Sequence, residues 1–175
     1  MAKIIEEADE ETRQLVRDVL AEEYPDVAGL DPPLRIGVLF VSSDKAGKPA
    51  LTHGGYPAAG VIRVVKEEDR AAGGPDVIVS LDLDAWPRRS AEGKRALVQH
   101  ELHHIEPKDE LDSLGRQKVG LRKHDFEIGG FNEIVRRYGD DAIEWQQVKR
   151  VHDSYRQMTL PFAAADDPPR KKAAR

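Results

Sequence analysis

The stretch Ala96-Leu97-Val98-Gln99-His100-Glu101-Leu102-His103-His104-Ile105 constrains this chain more than any other. It contains H-E-x-x-H, filled by His100, Glu101 and His104. Residues four apart on an α-helix lie one above the other on one face. Two imidazoles so placed can grip a single zinc ion, and the glutamate between them reaches a water at that ion as a general base. Leu97, Val98, Leu102 and Ile105 predict a helix with an apolar stripe beside the histidines, and Pro107 marks its end. Ser90 is a good N-cap, with Glu92 in the first turn. The alternative is a solvated helix with a histidine cluster; the spacing favours a metal site.

Composition narrows the chemistry further. The 175 residues suit one domain, and the absence of cysteine leaves only histidine and carboxylate as metal ligands. A net charge of −5 argues against a broad basic face for duplex DNA, so any DNA association is weak or indirect. No apolar run reaches transmembrane length and the start lacks a signal-peptide core. A cytoplasmic protein with no membrane partner is the expectation.

Asp9 to Tyr24 reads as an amphipathic helix on Leu15, Val16, Val19 and Leu20, stopped by Pro25. Leu34 to Val41 alternates as a strand. A polar loop, Ser42 to Pro49, precedes the turn cluster His53-Gly54-Gly55-Tyr56-Pro57 and a β-branched run through Val61, Ile62, Val64 and Val65. Asp76 to Leu83 is the next strand, alternating apart from Ile78. It is either an exposed edge that pairs with an extended substrate peptide or an ordinary inner strand. Glu106 to Lys123 is a charged connection with weak patterning. A helix follows on Ile128, Phe131, Ile134, Val135 and Tyr138, stopped by Gly139.

A third ligand has to come from outside the first helix. His124 is the favoured candidate, because the residues between it and His104 allow a second element to return alongside the first. Glu127 is the main competitor. His103 is less suited, since at about 100° per residue it points away from His104.

With these pieces in place the chain resembles zinc metallopeptidases of the SprT/Spartan type, and more closely the phage metallopeptidase family. The residues that carry the likeness run in order from Leu34 to Gly139. They comprise the strands, the Trp86 lead-in, His100-Glu101-Leu102-His103-His104, His124-Asp125-Phe126-Glu127, Phe131 and Tyr138-Gly139. The resemblance implies His100, His104 and His124 as ligands of one zinc ion per chain and Glu101 as the catalytic residue. It also implies a protein or peptide substrate and an α+β fold of minimal zincin-like type. In that fold a small mixed sheet has the metal helix packed across it, and the C-terminal part is helical. One departure is informative: SprT-like proteins usually carry His-Gly where this chain has His124-Asp125, which makes the phage-type family the nearer relative. Asp125 is a candidate partner for a ligand imidazole, and Tyr138, Tyr56 and His53 are candidates for stabilising an oxyanion.

Asp140-Asp141 start a last helix through Ile143, Trp145, Val148, Val151 and His152, with His152 structural or exposed. Beyond it the composition is that of a flexible tail, dividing the chain into a domain over 1–156 and a tail over 157–175. Gln157-Met158-Thr159-Leu160-Pro161-Phe162 is similar to the peptide by which bacterial replication proteins bind the DNA sliding clamp. Gln157 suits a polar notch, and Met158, Leu160 and Phe162 make the apolar contact. The alternative is a clasp on the domain itself. Two functions therefore stand: a zinc-dependent peptidase, in a DNA or replication setting if the tail docks, or a non-catalytic metal-containing adaptor for the clamp. A metal-dependent nuclease is weaker, because a glutamate between two ligands suits peptide-bond hydrolysis best. Docking predicts that Leu160→Ala with Phe162→Ala keeps the melting temperature and abolishes clamp binding in a calorimetric titration. A clasp predicts the reverse, with each buried side chain worth about 1.5–3 kcal/mol.

Overall fold

Alternating and continuous apolar runs set the strands of this chain, and burial decides which of them pair. The computed structural model describes residues 3–45, 48–124 and 131–149. In chain order they form β1 (Lys3–Glu7), α1 (Glu10–Glu23), α2 (Pro25–Ala28), β2 (Ile36–Ser43), β3 (Leu51–His53), β4 (Tyr56–Ala58) and β5 (Gly60–Val64). There follow α3 (Glu67–Ala71), β6 (Val77–Asp82), a 3-10 turn at Trp86–Arg88, α4 (Ala91–His103), β7 (Ile105–Leu111), β8 (Gln117–Leu121) and α5 (Asn132–Tyr138). Residues 143–149 are again helical. The architecture is mixed α+β, as expected, and compatible with a small zincin-like domain.

The main sheet has the order β1-β2-β6-β5, with β2 and β6 parallel and the outer pairs antiparallel. Val38 and Phe40 of β2, Val77, Val79 and Leu81 of β6 and Ile62 of β5 share one face, on which α1 and α4 pack through Val16, Val19, Leu97, Val98 and Leu102. The opposite face carries a second cluster, Val41, Ala50 and Leu51 with Ala58 and Val61, which roots the β3–β4 hairpin. Gly54 and Gly55 turn that hairpin at φ values of 57° and 87°, a left-handed pair that suits a two-residue loop.

Several sequence expectations need correcting. Of the two readings of the strand over 76–83, the inner one holds and the edge one does not: β6 lies between β2 and β5, so β5 is the edge nearest α4. Ile78 is the physical reason, since a strand covered on both faces is apolar on both. The charged connection after α4 is the β7–β8 hairpin, whose pairing shifts register between Pro107 and Leu111. Most of β7 is exposed, so no alternation marks it. Pro107 lies within β7, and α4 ends earlier, at His103. β1 escaped notice because all five of its residues are exposed. The final helix is described only to residue 149, and Ile128 lies outside the described residues. Among the described residues no helix is long and apolar enough to cross a membrane.

A buried charge network ties the hairpin to the sheet. Arg70 in α3 donates through Nε to Asp76 Oδ1 at 2.9 Å and through its guanidinium to Asp112 at the end of β7. Arg116 Nη1 also donates to Asp76 Oδ1, at 2.8 Å, and the Arg35 backbone N–H donates to Oδ2 at 2.8 Å. Burial alone would push the Asp76 carboxyl up, but these hydrogen bonds outweigh it and hold the group below its ordinary value. A depressed folded-state value means stability that is complete above an unfolded value of about 3.9 and is lost as pH falls through the folded one. Asp76→Ala is therefore expected to cost about 3–5 kcal/mol at pH 7, the usual penalty for stranding a buried partner. Urea unfolding should show that gap narrowing as the wild type is acidified below pH ~4; a constant gap would contradict the assignment.

Candidate metal centre

The centre is built on α4, which Ser90 caps by accepting from the Gly93 N–H at 3.0 Å. Every residue from Ala96 to Leu102 is buried, as is His104. Leu97, Val98 and Leu102 meet the sheet and α1, while His100 and His104 converge with His124 from the segment after β8. There the chain is clamped to the end of α4 from both sides. The Arg122 N–H donates to His104 O at 2.8 Å, and His104 Nδ1 lies 2.8 Å from Arg122 O. Two residues later, half-buried His124 comes to rest with Nε2 3.2 Å from His100 Nε2.

One nitrogen from each of His100, His104 and His124 lies within 4.8 Å of the others. A four-coordinate zinc with bonds of about 2.0–2.1 Å spaces its ligands by about 3.3 Å, so the trio needs only a slight contraction to hold such an ion. The outer nitrogens of His100 and His104 are occupied. His104 Nδ1 is opposite the Arg122 carbonyl, and His100 Nδ1 is 2.7 Å from Glu144 Oε1. An Nδ1–H donated outward leaves the Nε2 lone pair facing inward. The Phe131 ring, fully buried, floors the cluster at 4.8–5.1 Å from all three imidazoles.

Glu101 is 3% exposed and turned towards β5, where the Ile62 backbone N–H hydrogen-bonds its carboxyl. Gly60 makes this approach possible: a Cβ there would lie 2.6 Å from Glu101 Oε1 and 3.1 Å from its Cγ and Cδ. Burial pushes Glu101 up to about 7 despite the opposing effect of His100 and the Ile62 amide. Burial, with His100, His124 and His53 nearby, takes His104 down to about 4. Burial works against the charged form of His100 too, yet its bond to Glu144 and the two carboxylate charges outweigh that and raise it. The centre thus combines metal-ligand donors with a buried carboxyl held above its ordinary value.

The other candidates separate clearly. His103 stands outside the trio, with Nδ1 3.1 Å from the Tyr24 hydroxyl and its ring 4.4 Å from Phe131. The Tyr138 hydroxyl donates to the Gln99 side chain, and Tyr56 is 77% exposed at the hairpin turn. His53, on the same hairpin, lies edge-on to His124 with ring centroids 5.5 Å apart. Asp125, Glu127, His152, Gln157, Met158, Leu160 and Phe162 lie outside the described residues. Glu144 and Gly60 were missed. The apolar residues of the last helix run through Ile143, Trp145 and Val148, yet Trp145 is 38% exposed and Glu144 1%. No local signal distinguishes a carboxylate that is buried only because an imidazole from another helix meets it.

The family described as Putative phage metallopeptidase matches residues 4–156. No curated protein and no solved structure matches the chain. Gly60→Ala is expected to swing Glu101 off the β5 backbone. Hydrolysis of a protein substrate should then fall at least tenfold, with metal content unchanged, measured side by side with wild type. Full activity in that variant would show that the close approach is dispensable.

Proposed function

Because the chain belongs to the phage metallopeptidase family, we propose that it is a zinc-dependent peptidase that hydrolyses peptide bonds in a protein substrate. The observation that carries this is the convergence of His100, His104 and His124 with Glu101 beside them. Zinc is the metal of choice for three neutral imidazoles that leave a fourth position open, in a chain without thiolates. Glu144 faces the His100 imidazole and Glu101 lies beside the same ring, so a divalent cation held there brings positive charge to two buried carboxyl groups.

When bound, the ion supplies Lewis-acid activation of water and of the scissile carbonyl. Glu101 accepts the proton of the attacking water on its carboxylate and returns it to the leaving amine nitrogen. To His53, exposed beside His124, we assign the donation of a ring N–H to the carbonyl oxygen as negative charge develops there; its nearness to a ligand imidazole supports this. The β5 edge, which among the described residues pairs only with β6, offers backbone groups to an extended substrate next to Glu101.

Purified protein is expected to carry one zinc per chain by elemental analysis, and His104→Ala to lose it. Glu101→Gln should keep the zinc and lose cleavage of labelled casein. A wild type fully active without zinc, or an active Glu101→Gln, would remove the proposal. In the same series His53→Ala should keep its zinc and lose about 10²-fold in kcat with little change in KM. An unchanged kcat would take His53 out of the mechanism.

A further inference from the structure

Glu144 is joined to the centre from a helix far along the chain. Its carboxylate is 1% exposed. A single oxygen, Oε1, faces both His100 Nδ1 at 2.7 Å and the Phe131 backbone N–H at 3.3 Å. The second oxygen, Oε2, is buried with no hydrogen-bond partner among the described residues. A carboxylate in that setting is expensive to desolvate and gains nothing from a neutral apolar core. The contrast with His104 is instructive, since there the same outward nitrogen meets only a neutral carbonyl, that of Arg122. The two α4 imidazoles therefore differ in how strongly they are polarised. A carboxylate behind a ligand imidazole sets the tautomer, fixes the ring plane and raises the basicity of the inward nitrogen.

Resting on the metal site proposed above, we infer that Glu144 is a positioning residue for the metal. It holds His100 with Nε2 directed at His124 and His104, and its charge joins that of Glu101 in balancing a divalent ion. Phe131 makes this more than a single contact. Its N–H is received by Glu144 while its ring floors the three imidazoles, so the C-terminal helical segment and the centre close on each other. Metal uptake and the docking of residues 131–149 are then one coupled event.

The test uses full-length protein and zinc alone as the probe, titrated in competition with a fluorescent chelator, alongside melting curves with and without zinc. Glu144→Ala should bind zinc 10–100-fold more weakly. Glu144→Gln, which preserves shape and whose amide oxygen still accepts from Nδ1–H, should fall between that variant and wild type. The rise in melting temperature on adding zinc should shrink in the same order. A residue with a merely structural role behaves differently, lowering the zinc-free melting temperature and leaving the zinc-induced rise intact. That pattern, zinc affinity in Glu144→Ala within twofold of wild type, or equal weakening in Gln and Ala, overturns the inference. Should Glu144→Ala fail to fold, Glu144→Gln decides alone, with affinity equal to wild type counting against. A wild type that binds no zinc removes the metal site itself, an outcome distinct from all of these.

Discussion

Burying two imidazoles and a carboxylate at the C-terminal end of α4 is the constraint that the surrounding structure answers. His100, Glu101 and His104 are each less than one-tenth exposed, and polar groups placed so deeply are tolerable only with partners. Each partner comes from a different element. Glu144 meets His100, the Arg122 carbonyl meets His104, and the Ile62 amide of β5 meets Glu101. Helix, edge strand and hairpin exit are thereby drawn to one point, and His124 arrives with the last of these.

Apolar packing sets the frame and polar contacts set the register within it. Leu97, Val98 and Leu102 would seat α4 on the sheet equally well whatever lay between them. The clamp between His104 and Arg122 fixes where the chain leaves β8, and the Arg70–Asp76–Asp112 network anchors the other end of the same hairpin to the start of β6. A hairpin with so little apolar surface of its own is held by these charges, which makes the position of His124 depend on groups remote from it.

The same arrangement explains the electrostatics. Low dielectric raises Glu101 towards neutrality and depresses His104, while the carboxylate behind His100 lifts that ring in the opposite direction. Groups of one chemical type are driven apart by their neighbours, which is how a small centre assigns different roles to similar side chains.

Sequence alone determined what depends on local spacing. H-E-x-x-H places His100 and His104 on one helical face, Ser90 marks where α4 starts, and alternation marks β2 and β6. Candidacy of His124 was also legible, since the residues between it and His104 let a second element return alongside the first, with Glu127 as its main competitor. Tertiary structure decided what depends on contacts between distant segments. It made β5 the edge beside Glu101 instead of β6, required glycine at position 60, and brought His53 to the side of His124. It also turned Glu144 inward and left Trp145 partly in solvent, against the apolar pattern of their own helix. The physical reason is that a buried carboxylate is stabilised by a specific partner and not by its periodicity. That partner, His100, precedes it by 44 residues and becomes adjacent only when the chain has folded.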